Sequence, residues 1–158
     1  EIWKVGESRN ITWNKAGSIA NVKIEYSTDG GTTFPNEIID TTDAGVGSYT
    51  WNPIPDAIGN QLRVRITDVL DATVKDISDN NFEIKGTVTV TAPNGTEAWE
   101  VGSSENITWT KQGALVTSVK LEYSLDDFAT AGIEIATGVD AATGTPYPWT
   151  IPDALSNT

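Results

Sequence analysis

Along much of this chain, apolar and polar side chains change places at every second position. Val22, Ile24 and Tyr26 alternate with Lys23, Glu25 and Ser27, and Leu62, Val64 and Ile66 alternate with Arg63, Arg65 and Thr67. The same beat returns at Phe82 and Ile84 against Glu83 and Lys85, and at Val88 and Val90 against Thr87, Thr89 and Thr91. A period of two sends successive side chains to opposite faces of an extended backbone, so each run predicts a strand with one buried and one wet face. Such half-wet strands belong to antiparallel sheets. No segment carries a helical stripe. Turn signals separate the runs: "DGG" at 29–31, "NPIPD" at 52–56 and "PNG" at 93–95.

The pattern is written twice. "EIWKVGESRNITWNKAG" from Glu1 runs beside "EAWEVGSSENITWTKQG" from Glu97; "VKIEYS" at 22–27 matches "VKLEYS" at 119–124; "YTWNPIPDA" at 49–57 matches "YPWTIPDA" at 147–154. The offset stays between 96 and 98. That is the length of a small domain, too long for the repeat of a solenoid. About seven short strands per period point to an immunoglobulin-type sandwich. The expected fold is therefore all-β: two tandem immunoglobulin-like antiparallel β-sandwiches, 1–86 and 87–158, both incomplete in this chain.

In combination, "PNGTEAWEVGSSENITW", "VKIEYSTDGGTTF", "GSYTWNPIPDA", "RVRITD" and "SDNNFEI" resemble an Ig-like module of the Ser/Thr-rich, GPI-anchored fungal wall family. Similar modules look widespread in bacterial extracellular proteins, often in tandem. The resemblance covers essentially the whole chain and implies a surface, adhesive or accessory role. Two departures stand out. Thr96 sits where that family usually has a second glycine, and "SLDDFATAG" replaces the "STDGGTTF" hairpin in the second copy.

Charge and composition narrow the function classes. The formal charge is −12, from 22 acidic and 10 basic residues. A surface of that sign disfavours nucleic acid, whose phosphates need basic partners, and anionic lipid. With no cysteine there is neither a disulfide nor a thiolate metal site. With no histidine the commonest general base and zinc ligand is missing, so an enzyme is not expected. No apolar run is long enough for membrane insertion. The absence of Cys and Met beside 22 threonines suits an extracellular or cell-surface setting.

Several residues invite a chemical reading, each with a plainer alternative. The six tryptophans fall at matched places, Trp3 with Trp99, Trp13 with Trp109 and Trp51 with Trp149. Trp13 and Trp51 lie on the inward register of their strands, the usual place of a sandwich's core anchor. Trp3 and Trp99 lie near a strand end, where exposed rings would stack on sugars; they are the candidate carbohydrate-binding pair, with Tyr26 and Tyr123 as further rings. The acidic loop "TDVLDATVKDISD" holds Asp68, Asp71, Asp76 and Asp79. Four carboxylates from one loop are a candidate calcium site, although their spacing matches no EF-hand and solvated turns are the competing reading. Calcium is the one cofactor so suggested. Asn10, Asn94 and Asn106 open Asn-x-Thr sequons. Arg63 and Arg65 share a wet face expected to neighbour Lys23 and Glu25, which predicts cross-strand ion pairs. Pro146 and Pro148 remove two donors from one side of their strand, so that strand is expected at a sheet edge.

Only Lys85, Gly86 and Thr87 separate the last alternating run of the first copy from the first run of the second, which predicts restricted rotation between copies. The first copy has no counterpart of "GTVTVTAPNG", and is expected to lack its first strand. The second copy has no counterparts of Leu62, Val64, Ile66, Phe82 and Ile84, and is expected to lack its last two strands. At roughly 1.5–3 kcal/mol per buried side chain, those five amount to roughly 8–15 kcal/mol. A whole domain is stable by about 5–15 kcal/mol. The expectation is that the chain continues past Thr158 or that a neighbour donates strands. The function expected from the sequence is a non-catalytic structural module of a long extracellular fibre, stalk or adhesin, partnered by neighbouring copies of itself in chain or filament. The alternative is a carbohydrate-binding accessory module of a secreted enzyme, partnered by glycans.

Overall fold

Among the described residues every regular element but one is a strand, the exception being a single 3₁₀ turn at Ala44–Val46. The computed structural model describes residues 1–142 and 144–154. The chain divides between Gly86 and Thr87 into two units. The first contains β1 (Ile2–Lys4), β2 (Arg9–Thr12), β3 (Asn21–Ser27), β4 (Asn36–Asp43), β5 (Ser48–Trp51), β6 (Gly59–Asp68), β7 (Lys75–Ile77) and β8 (Phe82–Lys85). The second contains β9 (Thr87–Ala92), β10 (Ser104–Gln112), β11 (Ser118–Tyr123), β12 (Ile133–Asp140) and β13 (Tyr147–Thr150).

In the first unit the larger sheet runs β1-β8-β6-β3-β4, with β7 also hydrogen-bonded to β6, while β2 and β5 form a separate pair. Ile24 stands opposite Ile66, and Tyr26 opposite Val64, so the apolar rows of β3 and β6 share a face. Ile24, Ile54, Leu62 and Ile84 are almost fully buried there, joined by Trp3, Ile11, Trp51 and Phe82. All pairings in this unit are antiparallel except β1 with β8, which run parallel through Ile2↔Glu83, Trp3↔Ile84 and Lys4↔Lys85. The sheets are open, in keeping with a β-sandwich.

The second unit builds the sheets β13-β10-β9 and β11-β12. Among its described residues only Ile107, Trp109 and Ala141 are buried hydrophobics. Leu121, at the position of Ile24, is only half-buried. The reason is topological: β3 has β6 along its second side, and β11 has no such neighbour among the described residues. Among the described residues four strands of the first unit, β1, β6, β7 and β8, are thus without a counterpart strand in the second. β13 lies at the edge of its sheet, with Pro148 facing Asn106 of β10, as the prolines require.

The two hairpins β3–β4 and β11–β12 follow the same path despite their different sequences. Gly30 and Gly31 have φ of 72° and 90°, and the matched Asp127 and Phe128 have φ of 56° and 59°. Glycine enters that left-handed region freely, whereas a side chain meets its own backbone there. A Cβ on Gly31 would stand 3.0 Å from Cδ of Arg63. Phe128 carries the strain while the residue stays 58% exposed, so little burial offsets it. We expect Gly31→Ala to lower stability in chemical denaturation by about 1–2 kcal/mol, and Phe128→Gly to raise that of the second unit by up to about 1 kcal/mol. Equal stabilities in both cases would mean that the turns are not held left-handed in solution.

Candidate functional site

An indole buried on a strand needs an acceptor for its N–H. Trp13, just beyond β2, donates Nε1–H to the carbonyl of Ala44 at 3.1 Å, and Trp109 on β10 donates to the carbonyl of Ala141 at 3.2 Å. Each acceptor follows directly on the strand hairpin of the other sheet, so in both units the indole ties one sheet to its neighbour. The surroundings are duplicated as well. Ala44 N–H donates to Ala20 O at 2.9 Å and Ala141 N–H to Thr117 O at 3.0 Å; Lys15 Nζ reaches Ile19 O and Lys111 Nζ reaches Val116 O.

The remaining tryptophans form a second duplicated set. Trp3 meets Trp51 edge-on at 6.0 Å and 78°, and Tyr26 leans on Trp51 at 5.0 Å. Trp99 meets Trp149 at 6.1 Å and 72°, and Tyr123 leans on Trp149 at 5.3 Å. In the first unit Phe82 closes this trio, its ring 4.5 Å from that of Trp3. Trp3 is 7% exposed and its Nε1–H is taken by Glu1 Oε2, so it offers no flat face to a sugar. Trp99, Trp149 and Tyr123 remain half-buried, with no counterpart of Phe82 among the described residues. Of the two rings expected to bind carbohydrate, only Trp99 keeps accessible area.

The segment expected to be an acidic loop is a hairpin. β6 extends through Asp68, and β7 pairs with it through Arg65↔Ile77, Ile66↔Asp76 and Thr67↔Lys75. Asp76 is therefore a strand residue. Asp68 Oδ1 accepts from Leu70 N–H at 3.0 Å, and Asp71 Oδ1 accepts from the N–H and hydroxyl of Thr73, which hold its carboxyl below the usual range. Asp79 lies exposed in the bend before β8. Among the described residues no three acidic side chains meet in a way that would hold a metal ion. Two of the four carboxylates thus cap the turn that carries them.

Sequence reasoning passed over a feature that both hairpins share. Ser27 Oγ donates to Asp29 Oδ1 at 2.6 Å and accepts from the N–H groups of Asp29 and Gly31, while Thr33 donates to Asp29 through both N–H and hydroxyl. In the second unit Ser124, Asp126, Phe128 and Thr130 repeat these bonds. The pattern Ser-x-Asp-x-x-x-Thr, present at both places, is the signal that could have revealed it. The hydroxyl of Ser27, then that of Thr33, depresses the pKa of Asp29 strongly; the hydroxyls of Thr130, then Ser124, lower that of Asp126. The expected cross-strand pairing holds for Arg65, whose Nη2 lies 2.6 Å from Glu25, with Lys23 bridging Glu25 and Glu37. Arg63 turns instead to Asn81 Oδ1. Lys120 bridges Glu122 and Glu134 at the matched positions. Of the sequon residues, Asn10 accepts from the Thr50 hydroxyl across β2–β5, Asn106 lies on β10, and Asn94 is exposed in a turn whose N–H groups converge on Glu97.

Comparison of the chain with protein families, with curated proteins and with solved structures gave no match.

Two measurements follow from this geometry. A carboxyl whose folded pKa is depressed stabilises the fold above its unfolded pKa and stops doing so as acid protonates it. Stability is therefore expected to be level above about pH 5 and to fall below about pH 4, with Asp29→Asn flattening that fall; an unchanged acid limb in the variant would remove the role given to the hairpin. Separately, calcium and then EDTA should leave the melting temperature where it was, and a rise reversed by EDTA would assign calcium to Asp68, Asp71, Asp76 and Asp79.

Proposed function

We propose that this chain is a non-catalytic structural module: tandem immunoglobulin-like sandwiches in a long extracellular or cell-surface fibre, stalk or adhesin, with neighbouring copies of the same unit as partners. The observation that carries this is the pairing of the first and last strands of the first unit. β1 and β8 run parallel, with Glu83 N–H donating to Glu1 O at 3.0 Å and Val5 N–H to Lys85 O at 2.9 Å beyond the ladder itself. Tension applied through Glu1 and Gly86 pulls two parallel strands past one another. Their hydrogen bonds are then stretched together, whereas an antiparallel pair gripped at one end opens bond by bond. A unit so built resists force along the chain. The duplicated indole bonds, aromatic trios and Ser–Asp–Thr hairpins support the same reading, since the chemistry that recurs in both units holds backbone to backbone. The resemblance to wall-family modules and the threonine-rich composition agree with a surface setting.

Pulling single molecules by their ends tests the proposal. The first unit should yield in one event that lengthens the chain by about 300 Å, the reach of its extended residues less the folded span. Glu83→Pro, which deletes one donor to β1, should lower the peak force. Unfolding at the force of an antiparallel pair, or indifference to Glu83→Pro, would overturn the proposal.

One observation favours the carbohydrate-binding alternative, the half-buried trio Trp99, Trp149 and Tyr123. In a pull-down on insoluble polysaccharides we expect no retention of the chain. Retention that Trp99→Ala abolishes would establish that alternative.

A further inference from the structure

One exposed turn holds a reactive dipeptide beside the group that restrains it. Asn94–Gly95 lies just past the end of β9, at the single place in the chain where asparagine precedes glycine. Every other asparagine is followed by a residue whose side chain crowds its own nitrogen, or, at Asn52, by a proline that has no N–H. Asn10, Asn21, Asn36, Asn60 and Asn106 are moreover held in strands. Asn94, Gly95 and Thr96 are exposed and belong to no strand. Gly95 has φ of 115°, a conformation that glycine enters freely and side chains rarely adopt, so the turn itself calls for glycine after this asparagine. A Cβ placed on Gly95 would find no atom within 4 Å, and nothing there obstructs an approach to its backbone.

The N–H groups of this turn converge on one carboxylate. Asn94 N–H donates to both oxygens of Glu97 at 3.0 Å, Gly95 N–H to Oε2 at 2.9 Å and Thr96 N–H to Oε2 at 3.0 Å. These donors, Asn94 foremost, hold the Glu97 carboxyl below its usual range, so it is ionised at neutral pH. The chain's one Asp-Gly pair, Asp29–Gly30, is differently placed. Gly30 N–H is taken by Gln61 O at 2.8 Å, and the Asp29 carboxylate is kept ionised, a form that resists attack by a nitrogen.

We propose that Asn94 is a site of self-modification, in which the backbone nitrogen of Gly95 attacks the side-chain amide of Asn94 and Glu97 sets the rate. A bond forms between Gly95 N and Asn94 Cγ, and the bond from Cγ to Nδ2 breaks. The Gly95 proton passes to solvent base, and the departing nitrogen takes a proton from water and leaves as ammonia. Water then opens the succinimide ring. Addition at Cγ gives aspartate, whereas addition at the main-chain carbonyl gives isoaspartate, with the backbone rerouted through the side chain. Nothing is oxidised or reduced. Ring closure requires the Gly95 nitrogen to leave Glu97, so the carboxylate acts as a brake. Either product adds a negative charge to a chain already at −12, within the turn that Glu97 occupies. The inference is independent of any location or mechanical role, and its failure leaves the proposed function to its own force measurement.

The test is incubation of the full chain at mildly alkaline pH, followed by proteolytic mapping with mass spectrometry. The fragment that begins at Gly86 should gain the mass of an amide become a carboxyl, and fragmentation should place the change at Asn94 ahead of every other asparagine. The folded chain should react about tenfold more slowly than the same chain in urea, the rate equivalent of releasing one hydrogen bond to a carboxylate. Glu97→Ala, checked for a dispersed amide spectrum, should react at nearly the urea rate while folded. Should that variant lose its dispersion, Glu97→Gln, which keeps an acceptor oxygen without the charge, serves in its place and should react faster than the parent chain. Asn94→Gln, whose longer side chain disfavours the ring, should abolish the product. No conversion at Asn94 in the folded chain while the urea sample converts fully, an equal rate in the folded Glu97 variant, or the same mass gain in Asn94→Gln would each overturn the proposal.

Discussion

An indole N–H taken out of water and left without an acceptor costs about as much as a good hydrogen bond contributes, and more than most single contacts return. Trp13 and Trp109 meet that constraint in the same way, by reaching the carbonyl of an alanine just beyond the neighbouring hairpin. Much else follows from it. The alanine must be small, because its site is closed: Ala44 and Ala141 are both essentially inaccessible. The chain must turn tightly there, which Asp43 and Asp140 secure by accepting from the N–H groups of Gly45 and Ala142. The hairpin before it must end at a set place, which the register of β3 with β4, and of β11 with β12, provides. One polar atom of a largely apolar ring thus sets the spacing between two sheets.

Strands with a clean alternation were legible in the sequence because each has one face in the core: β3, β6 and β8 read directly from their apolar positions. β4 and β12 were not. "NEIIDTTD" and "IEIATGVD" alternate poorly, because register shifts opposite Ile24 and Leu121 let adjacent residues face the same way. β7 was hidden for another reason. Its three residues, Lys75–Ile77, lie in a run of aspartates whose composition reads as a loop, and only the ladder to β6 makes it a strand. The left-handed pair Asp127 and Phe128 was illegible as well. Glycines announce such a turn, but here the Ser124–Asp126–Thr130 hydrogen bonds impose it on residues that would not choose it. Of the candidate site, the matching of the tryptophans could be read, and which ones would be closed over could not. That depends on Phe82, distant in sequence from Trp3.

The charges show how a strongly acidic chain accommodates its own field. On the outer face of β3, Lys23 sits between Glu25 and Glu37, and Arg65 completes the cluster while its guanidinium lies 4.4 Å from the ring centre of Phe34. Each exposed pair contributes only tenths of a kcal/mol. Their larger effect is on register, since a slip of one residue would set like charges side by side and turn the apolar row outward. Lys120, Glu122 and Glu134 keep the same arrangement without an arginine.

The parallel β1–β8 ladder has a geometric corollary. Because the two strands point the same way, the polypeptide comes into the first unit at one end of that ladder and departs at the other. Neither terminus has to double back to reach a following segment. Lengthening that ladder would carry the point of entry and the point of exit farther apart, whereas a longer antiparallel pair would leave its two chain ends side by side.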